Sequence, residues 1–343
     1  MSMSSLLRAA VAEGASDLHL ADGHPPTHRI DGALRSTDAR ALTGSAIETL
    51  VREIVSDRQW KIFQEKLELD FGYEEGGYRF RFNVHVERGN VAVAARLIPL
   101  AIPSFKDIGL PESVVDLARS PHGLVLVTGP SGAGKSTTLA SLLADINAHD
   151  AVHILTLEDP IEFVFPNAKG LVKQREVGSD TLSFAEGLRH ALCQDPDVIM
   201  VGEMRDPETI AAALTLAETG HLVFSTLHTN SAAQAVHRIV DSFAEHRQDQ
   251  VRAQLALTLR GVVAQVLLPR VKGSRVAARE ILMNTPACAN LIRENKVEQI
   301  PTVIQTGRSE GMVSLESAIT ELVKAKQVRE EDAVAYLPTR RRR

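Results

Sequence analysis

The run Gly129-Pro-Ser-Gly-Ala-Gly-Lys-Ser136 fits the pattern G-x-x-x-x-G-K-[ST], between an apolar run ending at Val127 and a helix-like run, Thr137-Thr-Leu-Ala-Ser-Leu-Leu143. That context matters as much as the letters. Glycines let backbone N–H groups turn inward around phosphate oxygens, and the start of a helix adds positive potential there. Lys135 is placed to reach β- and γ-phosphates and the Ser136 hydroxyl to ligate Mg²⁺. The nucleotide-contacting set is therefore Gly129, Pro130, Ser131, Gly132, Ala133, Gly134, Lys135, Ser136 and Thr137. A glycine-rich turn with a chance lysine is the bland alternative, and the strand and helix on either side count against it.

Three other places put polar groups beyond an apolar run. Val198-Ile-Met-Val-Gly-Glu203 is a strand-like stretch ending in a carboxylate, the form of a Walker B element, so Glu203 is the candidate to hold Mg²⁺ directly or through water. Asp195 and Asp197 precede that strand and belong to its other end. Thr156-Leu-Glu-Asp-Pro-Ile-Glu-Phe-Val164 places Glu158, Asp159 and Glu162 after the run Ile154 to Leu157. A carboxylate there could orient and deprotonate the water that attacks a γ-phosphate, but three acids cannot all be the base. Pro160 bends the chain, which turns Glu162 elsewhere, to an arginine or to solvent. In Ser225-Thr-Leu-His-Thr-Asn230, His228 lies beyond a strand on the phosphate side, whereas His221 stands at the start of that strand.

These residues need a frame to converge. Gly123 to Val127, Val152 to Leu157, Val198 to Val201 and His221 to Ser225 are short continuous apolar runs alternating with helical patterns, which predicts a mostly parallel sheet buried on both faces. The first hundred residues read differently. Ser16 to Leu20 and Tyr78 to Val86 are strand-like, the latter with Tyr78, Phe80, Phe82, Val84 and Val86 on one face, and Val91 to Ile98 follows across a hairpin suited to its Gly-Asn pair. The expected organisation is an α+β domain over residues 1–98, a proline-punctuated linker over 99–111, and an α/β domain over 112–343. That second domain turns mainly helical after Arg279, with a helix behind Ser314 carrying Leu315, Ile319, Leu322 and Val323.

Composition narrows the partners. A formal net charge of −5 argues against non-specific nucleic-acid binding, and the Arg340 to Arg343 tail is too short to reverse it. No apolar run approaches the ~20 residues of a membrane-spanning helix, and no export signal is visible. The two cysteines, Cys193 and Cys288, match no zinc or redox spacing, so a reduced, cytosolic, zinc-free protein is expected.

The phosphate loop, Leu157-Glu-Asp-Pro-Ile-Glu-Phe163, Asp195-Pro-Asp-Val-Ile-Met-Val-Gly-Glu-Met-Arg-Asp206 and Thr219-Gly-His-Leu-Val-Phe-Ser-Thr-Leu-His-Thr-Asn230 resemble, in order, the Walker A, Asp box, Walker B and His box of the type II/IV secretion ATPases. Ala15-Ser-Asp-Leu-His-Leu20 and Ile30-Asp-Gly32 are similar to the N-terminal domain of the pilus retraction ATPases in that family. The resemblance implies a PAS-like N-terminal domain, a RecA-like ATPase domain with helices from about residue 280, and a homohexamer that hydrolyses ATP with Mg²⁺ to power type IV pilus retraction. It implies a place at the cytoplasmic face of the inner membrane and an inner-membrane platform protein as partner. By matching position, Glu158 would be the general base, Glu203 the acid acting on Mg²⁺, His228 a phosphate-side sensor, and Arg81 and Arg96 arginines for the γ-phosphate. An ordinary solvated strand face is the competing reading of that arginine pair. Ala287-Cys-Ala-Asn-Leu-Ile-Arg-Glu294 resembles a retraction signature with Cys288 and Ala289 in place of Ile-Arg, and Cys193-Gln194 stands where relatives carry Arg-Glu. An accessory or regulatory nucleotide-binding subunit, or a pilus assembly or secretion ATPase, is the alternative.

Overall fold

The computed structural model describes residues 1–98, 101–273 and 275–336. The chain divides into two compact units, Met1–Ala101 with Pro160–Val164, and Ile102–Asp159 with Phe165–Arg343. Pro99 of the expected linker and the Arg340 to Arg343 tail lie outside the described residues.

Among its described residues the first unit holds β1 (Asp17–Leu20), β2 (Thr27–Ile30), β3 (Ala33–Ser36), β4 (Glu68–Glu75), β5 (Tyr78–Glu87) and β6 (Asn90–Ile98), ordered β3-β2-β1-β6-β5-β4. Every pairing is antiparallel. Alternation along β5 sends Phe80, Phe82 and Val84 inward, where they pack with Met3 and Leu7 of the helix Met3–Ala12 and Ile47 of the helix Gly44–Arg52. Glu87 pairs with Asn90, so the β5–β6 turn is Arg88-Gly89, at φ +51° and +82°. The hairpin expected across Arg88 to Asn90 is thus present, and its two turn residues are Arg88-Gly89 rather than the Gly-Asn pair. Two consecutive left-handed residues match the twist of the flanking strands, and Asn90 has already joined the ladder.

The second unit holds β7 (Gly123–Thr128), β8 (His153–Glu158), β9 (Leu171–Glu176), β10 (Val198–Val201), β11 (Leu222–Leu227), β12 (Leu259–Pro269) and β13 (Arg275–Met283), ordered β13-β12-β7-β11-β10-β8-β9. All neighbours are parallel except β12 and β13. Every residue of β7, β10 and β11 is buried, as a sheet covered on both faces requires. The four strands expected from apolar runs are present; β9, β12 and β13 are additions. The expected helical turn after Arg279 therefore begins only beyond Met283, with helices Pro286–Arg293, Ile300–Thr306, Leu315–Lys324 and Glu330–Ala333, the third capped by Ser314.

Residues 102–110, which open the second unit, are fastened to its strands and helices at separate points. Ser141 Oγ, on the helix Lys135–His149, donates to Pro103 O at 2.6 Å. Arg279 of β13 donates to Gly109 O and Ile108 O, each at 3.0 Å. The Arg279 side chain is only 6% exposed and makes no ion pair among the described residues, and burial lowers its pKa to about 10.

Candidate active site

The parallel register brings the candidate residues of the second unit to one edge of its sheet. Leu157 of β8 pairs with Val201 of β10, Val201 with Ser225 of β11, and Leu227 of β11 with Thr128 of β7. The carboxyl ends of these four strands thus lie side by side, in the order β7, β11, β10, β8. They lead into the phosphate loop, His228 and Glu203, while Glu158 closes β8. Ligands bind beyond this end of such sheets. Asp195 and Asp197 fall at the opposite end, where His153 N donates to Asp197 Oδ2 at 2.8 Å.

The loop itself is shaped by backbone that only glycine tolerates. Gly129 adopts φ +147°, and a Cβ there would stand 2.3 Å from the carbonyl oxygen of Gln265 on β12. Gly134, at φ +83°, begins the helix Lys135–His149 with no side-chain capping bond, and the first turn contains no acidic residue. Its leading N–H groups face no carboxylate of their own chain segment, which suits an anion. Lys135 is 8% exposed, and its ammonium donates to Gly129 O at 2.8 Å and Pro130 O at 3.1 Å.

Glu158 is buried, at 7% exposure, and its Oε1 accepts from Thr156 Oγ1 at 2.6 Å and from Gln174 Nε2 of β9 at 3.0 Å. Asp159 next to it is exposed. Two donors on one oxygen fix the direction of the Glu158 carboxyl. Glu203 sits between Arg205 and His228, 2.5 Å from Arg205 Nε and, through Oε2, 3.3 Å from His228 Nε2. The backbone before it is tied on both sides, with Gly202 N donating to Leu157 O at 2.8 Å and Thr226 Oγ1 donating to Gly202 O at 2.6 Å. His221 precedes β11, its Nδ1 3.0 Å from Leu216 O, away from this edge.

Arg81 and Arg96 belong to the first unit, where they are opposed across β5 and β6. Arg96 Nε donates to Asp17 Oδ1 at 2.8 Å. Burial alone would raise the Asp17 carboxyl, but hydrogen bonds from Arg96 and Ser16 hold it below the usual range. Arg81 lies 3.9 Å from Glu162, whose segment is grouped with the first unit, so the third of the acids that follow Leu157 meets an arginine.

Thr156, Gln174 and Gln265 escaped the sequence reading. Thr156 had a signal, standing two residues before Glu158 and so on the same face of its strand. Gln265 is the single polar side chain between Gly261 and Leu268 of an apolar strand, and a buried amide demands partners.

Among the described residues, no group of three or more His, Cys, Asp or Glu is placed to hold a metal ion. Nor is any described helix long and apolar enough to cross a membrane. Cys288 is fully buried, which pushes its thiol up to about 12 and makes it an inert core residue.

Residues 2–337 match the family described as type II/IV secretion system protein. The chain is 47% identical over 334 residues to the type IV pilus retraction ATPase PilT of Pseudomonas aeruginosa, covering 97% of both. It is 45% identical over 325 residues to a twitching motility protein of Neisseria gonorrhoeae, covering 94% of this chain and 87% of that one. The crystal structure of the pilus retraction motor PilT with bound ADP matches it with a TM-score of 0.91 at 45% identity, over 99% of this chain and 98% of that one.

Proposed function

The chain belongs to the type II/IV secretion system protein family, and from that premise we propose that it is an ATP-hydrolysing hexameric motor that powers type IV pilus retraction. One observation carries the reading: a phosphate loop and a buried, oriented carboxylate stand on one edge of one sheet, in a chain that matches a retraction motor along nearly its whole length.

In this reading the loop amides and Lys135 hold the ATP phosphates, the ammonium exchanging the carbonyls of Gly129 and Pro130 for phosphate oxygens. The Ser136 hydroxyl and the Glu203 carboxylate are oxygen donors of the kind Mg²⁺ takes. These two residues would hold the ion together with phosphate oxygens, and there it would neutralise phosphate charge. Glu158 is the base that takes the proton of the attacking water, aimed by Thr156 and Gln174. His228, against Glu203, is the sensor of phosphate state. Arg81 and Arg96 supply the transition-state charge that the family resemblance implies. The partner is an inner-membrane platform protein, and the motor works at the cytoplasmic face.

Purified protein should run as a hexamer by light scattering and release phosphate from ATP only with Mg²⁺. Cells lacking it should keep their pili extended and lose twitching. A monomer without turnover would overturn the motor reading and favour the accessory one.

A further inference from the structure

Gln265 lies in the middle of β12, 2% exposed, and its amide touches the phosphate loop and the helix behind it. Nε2 donates to Ala133 O at 2.6 Å, and Oε1 accepts from Thr138 Oγ1 at 3.0 Å. Its own backbone oxygen fills the space where Gly129 would carry a Cβ. One residue thus meets the first glycine of the loop, its fifth residue and the first turn of the following helix.

The bond to Ala133 has a directional consequence. In a trans peptide the C=O and the next N–H point opposite ways, so drawing Ala133 O toward β12 aims the Gly134 N–H away from it. Gly134, with no Cβ and φ +83°, has weak local preferences of its own, so that plane needs an outside constraint. A buried amide whose two ends are both bonded supplies one at little cost in side-chain entropy on ligand binding.

We propose that Gln265 is a positioning residue for nucleotide binding: by fixing the Ala133–Gly134 peptide it holds the phosphate loop in its binding shape before ligand arrives. This deepens the ATPase reading and rests on it. The effect falls on affinity rather than on the chemical step, because Gln265 reaches the loop carbonyl and not the Glu158 carboxyl.

The test uses the full chain and fluorescently labelled ADP. Gln265→Met, similar in volume but unable to bond, should weaken ADP about tenfold and raise the KM for ATP similarly, with kcat changed by less than about threefold. A purely structural role would lower the melting temperature while leaving the affinity of the folded protein unchanged. An ADP affinity within about twofold of wild type, at a temperature where the variant is folded, therefore overturns the proposal. Should Gln265→Met fail to fold, Gln265→Asn draws the amide back by one methylene and carries the same expectation and the same refutation. Lys135→Ala separates the two levels of inference. If it binds ADP normally, the phosphate site itself is misassigned; if it binds poorly while the Gln265 variants bind normally, only the positioning role falls.

Discussion

The helix Lys135–His149 starts differently from its neighbours. Ser183, Asp206, Ser231 and Ser314 each cap a helix by accepting a backbone N–H at its start, and Ser2 and Ser56 do the same in the first unit. Glu245–Thr258 lacks a capping side chain but brings Glu245 into its first turn. Among described helices of ten or more residues, Lys135–His149 alone has neither device. A cap is worth about 1 kcal/mol, and an acid in the first turn adds a few tenths more. A start that forgoes both leaves its donors for a ligand, and its geometry then has to be held from outside, by glycine conformations and by β12.

The contrast breaks first at Lys135. Lys135→Ala should lower ATP turnover by two orders of magnitude or more in a phosphate-release assay, because the ammonium held against the loop carbonyls is gone. Retained turnover would make the uncapped helix start an accident of packing. Glu158→Gln sharpens the division of labour on the same sheet edge. It keeps an oxygen acceptor for Thr156 and Gln174, so labelled ATP should bind as in wild type while hydrolysis falls about a hundredfold or more. The smallest effect belongs to a capped start: Ser314→Ala should cost about 1 kcal/mol in denaturant unfolding and leave turnover unchanged. A turnover loss there would show that the capped starts are not purely structural.

The site was legible where motif and burial agree. β7, β8, β10 and β11 are buried along almost their whole length, so their sequences are mainly apolar, and the chemistry stands at or just past the end of each strand. β9 hid because Lys173, Gln174, Arg175 and Glu176 make four of its six residues polar, as an edge strand with a single neighbour permits. β12 hid for the opposite reason. Its apolar stretch has no alternation to separate a buried strand from a buried helix, and its partner β13 was absorbed into an expected helical tail. The residues missed at the site, Gln174 and Gln265, sit on those two strands. Thr156 was missed on a strand correctly read, because its signal, a place two residues before Glu158 on the same strand face, belongs to no motif.

The bond between Gln265 and Ala133 also spans 132 residues of chain, and those from Arg279 to residues 109 and 108 span 170 and 171. During synthesis the glycine loop leaves the ribosome early, long before the strand beside it exists. Contacts of such sequence separation form only at the cost of closing the long intervening loop. The part of this unit written first thus cannot be completed until β12 and β13 have been made, and a chain halted before β12 would carry the loop's whole signature without its cradle.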